Sequence, residues 1–122
     1  MVGHRDDVPQ ILASLDISLH TSIWEGMPIA IIEAMLMSKA IIATKVGGIP
    51  ELIEDGVTGI LLAPYDREAL ARSIIKLIND KALAKRMGEL ARQYARERFT
   101  RKTMIENILK LYDSFIALKL PK

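Results

Sequence analysis

The 122-residue sequence contains no cysteine, only two histidines, and aromatic residues at 5% of the chain. The absence of cysteine excludes disulfide scaffolds, thiolate zinc sites and cysteine nucleophiles, and it favours a reducing, cytoplasmic location. Neither histidine has a ligand-like partner nearby in the sequence, so we expect no metal site. His20 falls within a predicted strand, where we interpret it as a core or edge residue whose ring is hydrogen-bonded.

Long apolar runs are also absent. The longest, such as Ile29–Ile32 and Ala40–Ala43, are far shorter than the roughly 20 residues that span a bilayer. Charged residues follow soon after Met1, unlike in a signal peptide. We therefore expect neither a membrane span nor a signal peptide.

Charge is unevenly distributed, although the net charge is only +2. Residues 1–63 carry 3 basic and 8 acidic side chains, whereas residues 64–122 carry 14 and 7. A solvated helical face is the simpler interpretation of this basic half. Peripheral contact of a full-length protein with an anionic membrane surface stays open as an alternative. Nucleic acid is not expected as a partner, because aromatic residues do not alternate with the basic ones.

What is present predicts one α/β domain. Half of the residues are hydrophobic, enough for a core, and β-branched runs alternate with helical segments, the pattern of a parallel sheet. Strands are predicted at Asp16–Thr21, Ala40–Thr44 and Thr58–Leu62, apolar enough to be covered by helices on both faces. We expect a partial Rossmann-like, doubly wound sheet of three to four strands over residues 1–65, then three C-terminal helices over residues 66–122.

The helices are predicted from proline, caps and periodicity. They are Val8–Leu15 after the caps Asp6 and Asp7, a helix from Pro28 to about Ser38, and a short one from Pro50. Asp66 should cap the first of the three final helices, and Thr100 the last. Each of the three has an apolar stripe, the last one formed by Ile105, Ile108, Tyr112 and Phe115, and we interpret the methionines on these stripes as core residues.

The informative segment is S-I-W-E-G-M-P-I-A-I-I-E, residues 22–33. It joins a predicted strand to a helix opened by Pro28, at the sheet edge where open α/β folds bind ligands. The free amides of Met27, Ile29 and their neighbours should favour a phosphate. Gly26 should let a ligand approach the backbone closely.

Two glutamates flank that helix start. Glu33 lies four residues after Ile29, on the same side of the helix and about 6 Å further along its axis, where its carboxylate could accept from a ribose diol. Glu25, just outside the helix, could bind hydroxyls of a sugar attached to the diphosphate. The alternatives are an exposed salt bridge for Glu33 and a helix-start charge for Glu25.

A second strand-to-helix loop contains Gly47 and Gly48, which either cradle a phosphate or make a tight turn. The loop is not G-x-G-x-x-G, and no P-loop signature occurs anywhere in the chain. Dinucleotide-dependent and ATPase functions therefore lose support.

The residues E-G-M-P-I-A-I-I-E-A-M, followed by A-I-I-A-T-K-V-G-G-I-P-E-L-I-E-D-G-V-T-G-I-L-L, resemble the C-terminal domain of the retaining, GT-B-fold glycosyltransferases of family 4, also called group 1. The similarity extends from G-H-R-D-D at residues 3–7 through the terminal helices. The two glutamates separated by seven residues are a specific signature of that group. The resemblance implies a hexosyltransferase-type enzyme whose substrate is a nucleotide-diphosphate sugar, without a cofactor or a metal in this domain.

The resemblance also implies residue roles. Glu25 is the catalytic position that contacts the donor sugar, and Glu33 is the ribose ligand. The remaining matches are the sugar- and phosphate-binding turn Gly26, Met27, Pro28 and Ile29, the base-flanking residues His4, Arg5 and Asp6, and the structural glycines Gly47 and Gly48. Ser38 stands where many relatives have glycine at a helix end.

The family has parts that these 122 residues do not contain. They are two further strand-helix units, which bear an Arg and a Lys for the donor diphosphate, and an N-terminal domain with the acceptor site. We expect a truncated domain that is inactive alone, with an apolar edge at Asp16–Thr21 covered by the N-terminal part or by a second copy.

Two other functions are open at this point. Without the Arg and Lys, the chain could be a non-catalytic interaction module with a degenerate glycosyltransferase fold. It could also be a glycoside hydrolase that uses Glu25 and Glu33 as its carboxylate pair. The hydrolase is the poorer interpretation, because such pairs flank one bond, whereas here one glutamate starts the helix and the other lies a turn inside it.

Overall fold

A computed structural model of the chain describes residues 5–119. The elements in chain order are α1 (Val8–Ser14), β1 (Ile17–His20), α2 (Ile29–Leu36), β2 (Ala40–Thr44), α3 (Ile49–Leu52), β3 (Ile60–Leu62), α4 (Arg67–Asn79), α5 (Lys81–Arg98) and α6 (Arg101–Lys119).

The three strands form one parallel sheet in the order β1-β2-β3. Ile17 lies opposite Ala40, and Ile42 lies opposite Ile60. The predicted α/β fold is confirmed, and β2 has the predicted bounds because all five of its residues are buried. The third strand is shorter than predicted, since the Thr58 hydroxyl accepts a 2.8 Å hydrogen bond from the Glu54 amide and thereby holds Thr58 in the preceding turn.

Helices cover both faces of the sheet, as in a doubly wound fold. On one face, Ile41 and Ala43 of β2 join a core cluster with residues of α2, α3 and the C-terminal half of α5. On the other face, Ala40 and Ile42 pack with Leu77 of α4 and with the N-terminal half of α5. One strand therefore supplies both cores through its alternating side chains.

The turn between α2 and β2 is a Schellman cap at which Ser38 has the left-handed φ of +57°. The amide of Lys39 donates to the Ala34 carbonyl at 3.0 Å, and the amide of Ser38 donates to the Met35 carbonyl at 2.9 Å. Glycine is the residue that this conformation favours, so the departure from the family pattern leaves the cap formed but strained. The backbone of α5 passes close to this turn, since a Cβ on Gly88 would lie 2.0 Å from the Ser38 carbonyl oxygen.

Asp7 stands at the predicted N-cap position of α1, but the predicted capping hydrogen bond from its side chain is absent. Instead, Arg5 donates to both carboxylate oxygens of Asp7, at 2.7 and 2.6 Å. The bidentate ion pair competes successfully with the helix amides and lowers the pKa of Asp7.

The apolar stripes of the three final helices differ in burial, since those of α4 and α5 include buried residues and that of α6 is exposed. As predicted, Asp66 caps α4 by accepting from the Ala69 amide at 2.8 Å, and Thr100 caps α6 by accepting from the Thr103 amide at 3.0 Å. Met87 of α5 is buried, as expected for a core methionine. The prediction is wrong for Met104, which is exposed on α6 together with the stripe Ile105, Ile108, Tyr112 and Phe115. No helix within residues 5–119 combines the length and apolar character needed to cross a bilayer.

Candidate functional site

The site is centred on the start of α2, which no side chain caps. In the described part of the chain, the amides of Met27, Ile29 and Ala30 donate to no protein acceptor. The first amide of α2 that has a partner is that of Ile31, which donates to the Pro28 carbonyl at 3.2 Å. Such amides carry the positive end of the helix macrodipole. The amides on which the predicted anion binding depends therefore have no acceptor within the described residues.

The same segment is open to solvent. Met27 is 50% exposed and Ile29 is 70% exposed. A Cβ placed on Gly26 would meet nothing within 4 Å. Within residues 5–119, no contact therefore requires glycine at this position.

Glu25 is held in a hydrogen-bonded loop between β1 and α2. The Ser22 hydroxyl donates to Oε1 of Glu25 at 2.7 Å. The Ser22 carbonyl in turn accepts a hydrogen bond from the Thr44 hydroxyl at the end of β2. The neighbouring strand thus fixes the loop, and the loop fixes the carboxylate.

The loop that contains Gly47 and Gly48 packs against the backbone of Glu25 and Gly26. The Gly48 amide donates to the Gly26 carbonyl at 2.7 Å. A Cβ on Gly47 would lie 1.7 Å from the carbonyl oxygen of Glu25, and one on Gly48 would lie 2.6 Å from that of Gly26. These two glycines are thus required by the close approach of the Glu25 loop, a contact that sequence reasoning missed because it joins distant segments.

Glu33 lies one turn into α2 and is exposed. Within residues 5–119, no side chain forms a hydrogen bond or an ion pair with its carboxylate. The alternative of an exposed salt bridge therefore has no support in this part of the chain.

His20 is half-buried at the end of β1, and its Nε2 lies 3.0 Å from the Ser18 hydroxyl. This contact confirms the prediction of a strand histidine with a satisfied ring. Burial lowers the pKa of His20, and the charge of Glu25 opposes that shift. Within residues 5–119, no three His, Cys, Asp or Glu side chains come together as a metal site would require.

The predicted base-flanking residues precede α1. His4 lies outside the described residues. Arg5 engages Asp7 as described above, and Asp6 is exposed and has a partner of its own. Helix α1 packs beside α2.

Comparison with known proteins gives the family. A family model described as "Glycosyl transferases group 1" matches residues 1–94. The N-acetyl-alpha-D-glucosaminyl L-malate synthase of Bacillus anthracis is 35% identical over 111 residues, which is 91% of this chain and 29% of that protein. An alpha-maltose-1-phosphate synthase of Mycobacterium tuberculosis is 34% identical over 115 residues, 88% of this chain and 30% of that protein. The chain thus spans about 30% of the length of these relatives.

Solved structures give the same assignment. Anabaena HepE, crystallised with UDP and glucose, superposes on this chain with a TM-score of 0.85 at 36% sequence identity. The match covers 93% of this chain and 31% of the HepE chain. The C-terminal domain of LpcC from Francisella tularensis, a group 1 glycosyltransferase, superposes with a TM-score of 0.75 at 28% sequence identity. The match covers 83% of this chain and 52% of the LpcC chain. The parallel sheet and its helices are accordingly those of a GT-B C-terminal domain. Because the family model covers most of the chain, this protein belongs to the group 1 glycosyltransferases.

Proposed function

We propose that this chain is the donor-binding part of a retaining, family 4 glycosyltransferase of hexosyltransferase type. In this proposal it binds a nucleotide-diphosphate sugar and depends on the rest of a longer enzyme for turnover. The observation that carries the proposal is that, among residues 5–119, neither the amides of Met27, Ile29 and Ala30 nor the carboxylate of Glu33, one turn along the same helix, has a hydrogen-bonding partner.

Each part of the donor has a matching group. The diphosphate accepts hydrogen bonds from the amides at the start of α2, where the helix macrodipole also attracts negative charge. The ribose diol donates to the Glu33 carboxylate. The sugar lies over Gly26 and donates a hydroxyl to Glu25, whose carboxylate Ser22 orients. HepE, which shares this fold, has been crystallised with UDP-glucose, and this supports a nucleotide sugar as the ligand here.

The chemistry follows from the same groups. As the bond between the sugar and the diphosphate breaks, negative charge grows on the leaving diphosphate, and the fixed amides stabilise it without reorganisation. Neither a metal nor a cofactor enters this proposal. The rest of the enzyme supplies the acceptor site and further cationic groups. Either that part or a second copy of the chain covers the open edge of β1, the outer strand beside β2.

Calorimetric titration with UDP, GDP and ADP tests the proposal, with Glu33→Ala as the variant. Charged hydrogen bonds contribute about 1.5–3 kcal/mol, so we expect Glu33→Ala to weaken binding roughly 10-fold or more. Glu68→Ala is the matched control, because Glu68 is an exposed helical glutamate in the first turn of α4. Failure of all three nucleotides to bind the wild type would favour the interaction module, and equal binding by Glu33→Ala would remove the ribose role.

A further inference from the structure

A groove opens at the opposite edge of the sheet from the proposed donor site, at the amino ends of β1 and β2. It has a volume of about 390 Å³, within the range of roughly 300–1,000 Å³ that is typical of ligand pockets. Asp16 and Ile17 line it at the start of β1, and Ser38 and Lys39 line it just before β2. None of the roles assigned above uses this groove.

Helix α5 brings two further lysines to the groove. Lys81 and Lys85 line it, and they precede Gly88 by seven and three residues, so all three lie on one side of the helix. Gly88 packs against the turn between α2 and β2, where its Cβ would lie 2.0 Å from the Ser38 carbonyl oxygen. The close approach of α5 therefore places both lysines beside that turn.

The ammonium groups on α5 are weakly engaged by the protein. Within residues 5–119, the ammonium group of Lys81 forms no hydrogen bond or ion pair. That of Lys85 lies 3.9 Å from the carboxylate of Glu89, which is too far for a hydrogen bond. Exposed pairs of this kind contribute little, so both lysines can bind an anion at low cost.

Lys39 holds its charge at a fixed position in the same wall. Its ammonium group donates to the carbonyls of Ala13 and Leu15, at the end of α1, at 2.9 and 2.8 Å. An ammonium group has three donors, so one remains. Asp16 opposes the basic charge, and three lysines with one aspartate leave a net charge of +2 on the wall.

Ser38 adds a hydroxyl beside these ammonium groups. Its φ of +57° is unfavourable for a residue with a side chain. Within residues 5–119, its hydroxyl has no hydrogen-bonding partner, so the side chain does nothing for the cap that would offset the strain. Strained residues of this kind cluster at functional sites, and a hydroxyl next to ammonium groups suits an oxyanion.

The other part of the groove is aliphatic and suits an uncharged group. Leu77 is buried in it, whereas Leu15 and Ile78 are 37% and 57% exposed, and Ile17 and Ala84 complete this wall. A phosphate has enough oxygens to accept from several ammonium groups and a hydroxyl together. We propose that the groove binds a phosphate group with an apolar neighbour, from either an anionic lipid headgroup or a soluble phosphate ester.

Inorganic phosphate is the first probe, titrated into the ¹⁵N-labelled 122-residue chain at constant ionic strength, with and without saturating UDP. We expect saturable shifts of the Ser38, Lys81 and Ala84 amides under both conditions. The double variant Lys81→Gln, Lys85→Gln should weaken this binding about 10-fold. Lys110→Gln is the matched control, because Lys110 is an exposed helical lysine of α6 that does not line the groove.

Two variants of Ser38 separate binding from stability. Ser38→Ala and Ser38→Gly both remove the hydroxyl, so each should weaken phosphate binding about 3-fold. Their free energies of unfolding should differ, because only glycine relieves the left-handed strain. Wild-type phosphate binding by both variants would overturn the role of the hydroxyl.

Vesicles distinguish the two sources of the phosphate. Co-sedimentation with an equal mixture of phosphatidylglycerol and phosphatidylcholine, lost in the double lysine variant and absent with phosphatidylcholine alone, would assign the phosphate to a lipid headgroup. Binding of inorganic phosphate without co-sedimentation would assign it to a soluble ester. Co-sedimentation that survives in the lysine variant but is lost in Ile108→Glu, Phe115→Lys would assign the vesicle contact to α6 and exclude the lipid source.

The outcomes also separate this groove from the proposed donor site. Phosphate shifts confined to the start of α2, or groove shifts that sodium chloride reproduces, would overturn the phosphate groove and leave the proposed function intact. Groove shifts in a chain that binds no nucleotide would support the groove and count against the donor site alone.

Discussion

The Ser22 hydroxyl donates to Oε1 of Glu25 at 2.7 Å, while the Ser22 carbonyl accepts from Thr44 of the adjacent strand. One serine thus ties the proposed sugar-binding carboxylate to the sheet. The bond restricts the carboxylate before any ligand arrives, and such preorganisation lowers the entropy cost of binding.

Ser22→Ala should therefore weaken binding of a nucleotide sugar about 5-fold and leave binding of the free nucleoside diphosphate unchanged. Ser22→Thr keeps the hydroxyl and should restore most of the difference. Paired calorimetric titrations of each nucleotide and its sugar measure this split. Equal losses for both ligands would instead indicate a general defect of the loop.

Gly47 and Gly26, in the two strand-to-helix loops, should differ in what they contribute, Gly47 to stability and Gly26 to ligand binding. Gly47→Ala should destabilise the protein by about 2–5 kcal/mol, because its Cβ would collide with the Glu25 carbonyl and its φ is +52°. Gly26→Ala meets no protein atom within 4 Å, so it should leave stability intact while reducing nucleotide-sugar binding. Denaturant unfolding and calorimetry measure the two effects. Wild-type binding by Gly26→Ala would mean that no ligand approaches this backbone.

Ser38→Gly should stabilise the chain. The left-handed conformation costs an L-residue about 1–2 kcal/mol, whereas the greater unfolded-state entropy of glycine costs part of that gain. We expect a net gain of about 1 kcal/mol in the free energy of unfolding, measured by urea denaturation. Ser114→Gly, inside α6, is the contrasting control and should lose stability. A loss of stability in Ser38→Gly would show that the serine side chain has a role of its own.

Local signals predicted most of this fold, and they were accurate where neighbours in sequence decide the structure. The caps at Asp66 and Thr100 and the apolar run of β2 are of this kind. The contact between Gly47 and the Glu25 loop was not predictable in this way, because it joins residues more than 20 positions apart. Periodicity shows that α6 is amphipathic, but it does not show whether anything within the chain covers the apolar side.

The pH dependence of stability should carry a contribution from His20. Burial lowers its pKa in the folded state below the ordinary value of 6.5. Between the two pKa values the unfolded chain binds more protons, so this contribution is present above about pH 6.5 and is lost as pH falls through the folded pKa. His20→Gln should therefore flatten the stability profile in that window.

An NMR titration of the His20 ring measures the shift directly, with an expected midpoint below 6.5. Glu25→Gln should lower the midpoint further, because the Glu25 charge raises the pKa of His20. A wild-type midpoint above 6.5 would mean that this charge outweighs burial.

The exposed side of α6 should make the chain self-associate at high concentration. Its large apolar residues span about half of the helix circumference at 3.6 residues per turn. They are Met104, Ile105, Ile108, Leu109, Leu111, Tyr112, Phe115, Ile116 and Leu118. Such a continuous apolar surface is unusual for a monomer.

The double variant Ile108→Glu, Phe115→Lys should reduce self-association in sedimentation velocity and change the free energy of unfolding by no more than about 0.5 kcal/mol. Leu77→Ala, at a position only 1% exposed, should by contrast cost about 2–5 kcal/mol. A comparable loss in the α6 variant would show that this side packs against the body of the protein, and the exposed surface would then lie elsewhere on the helix.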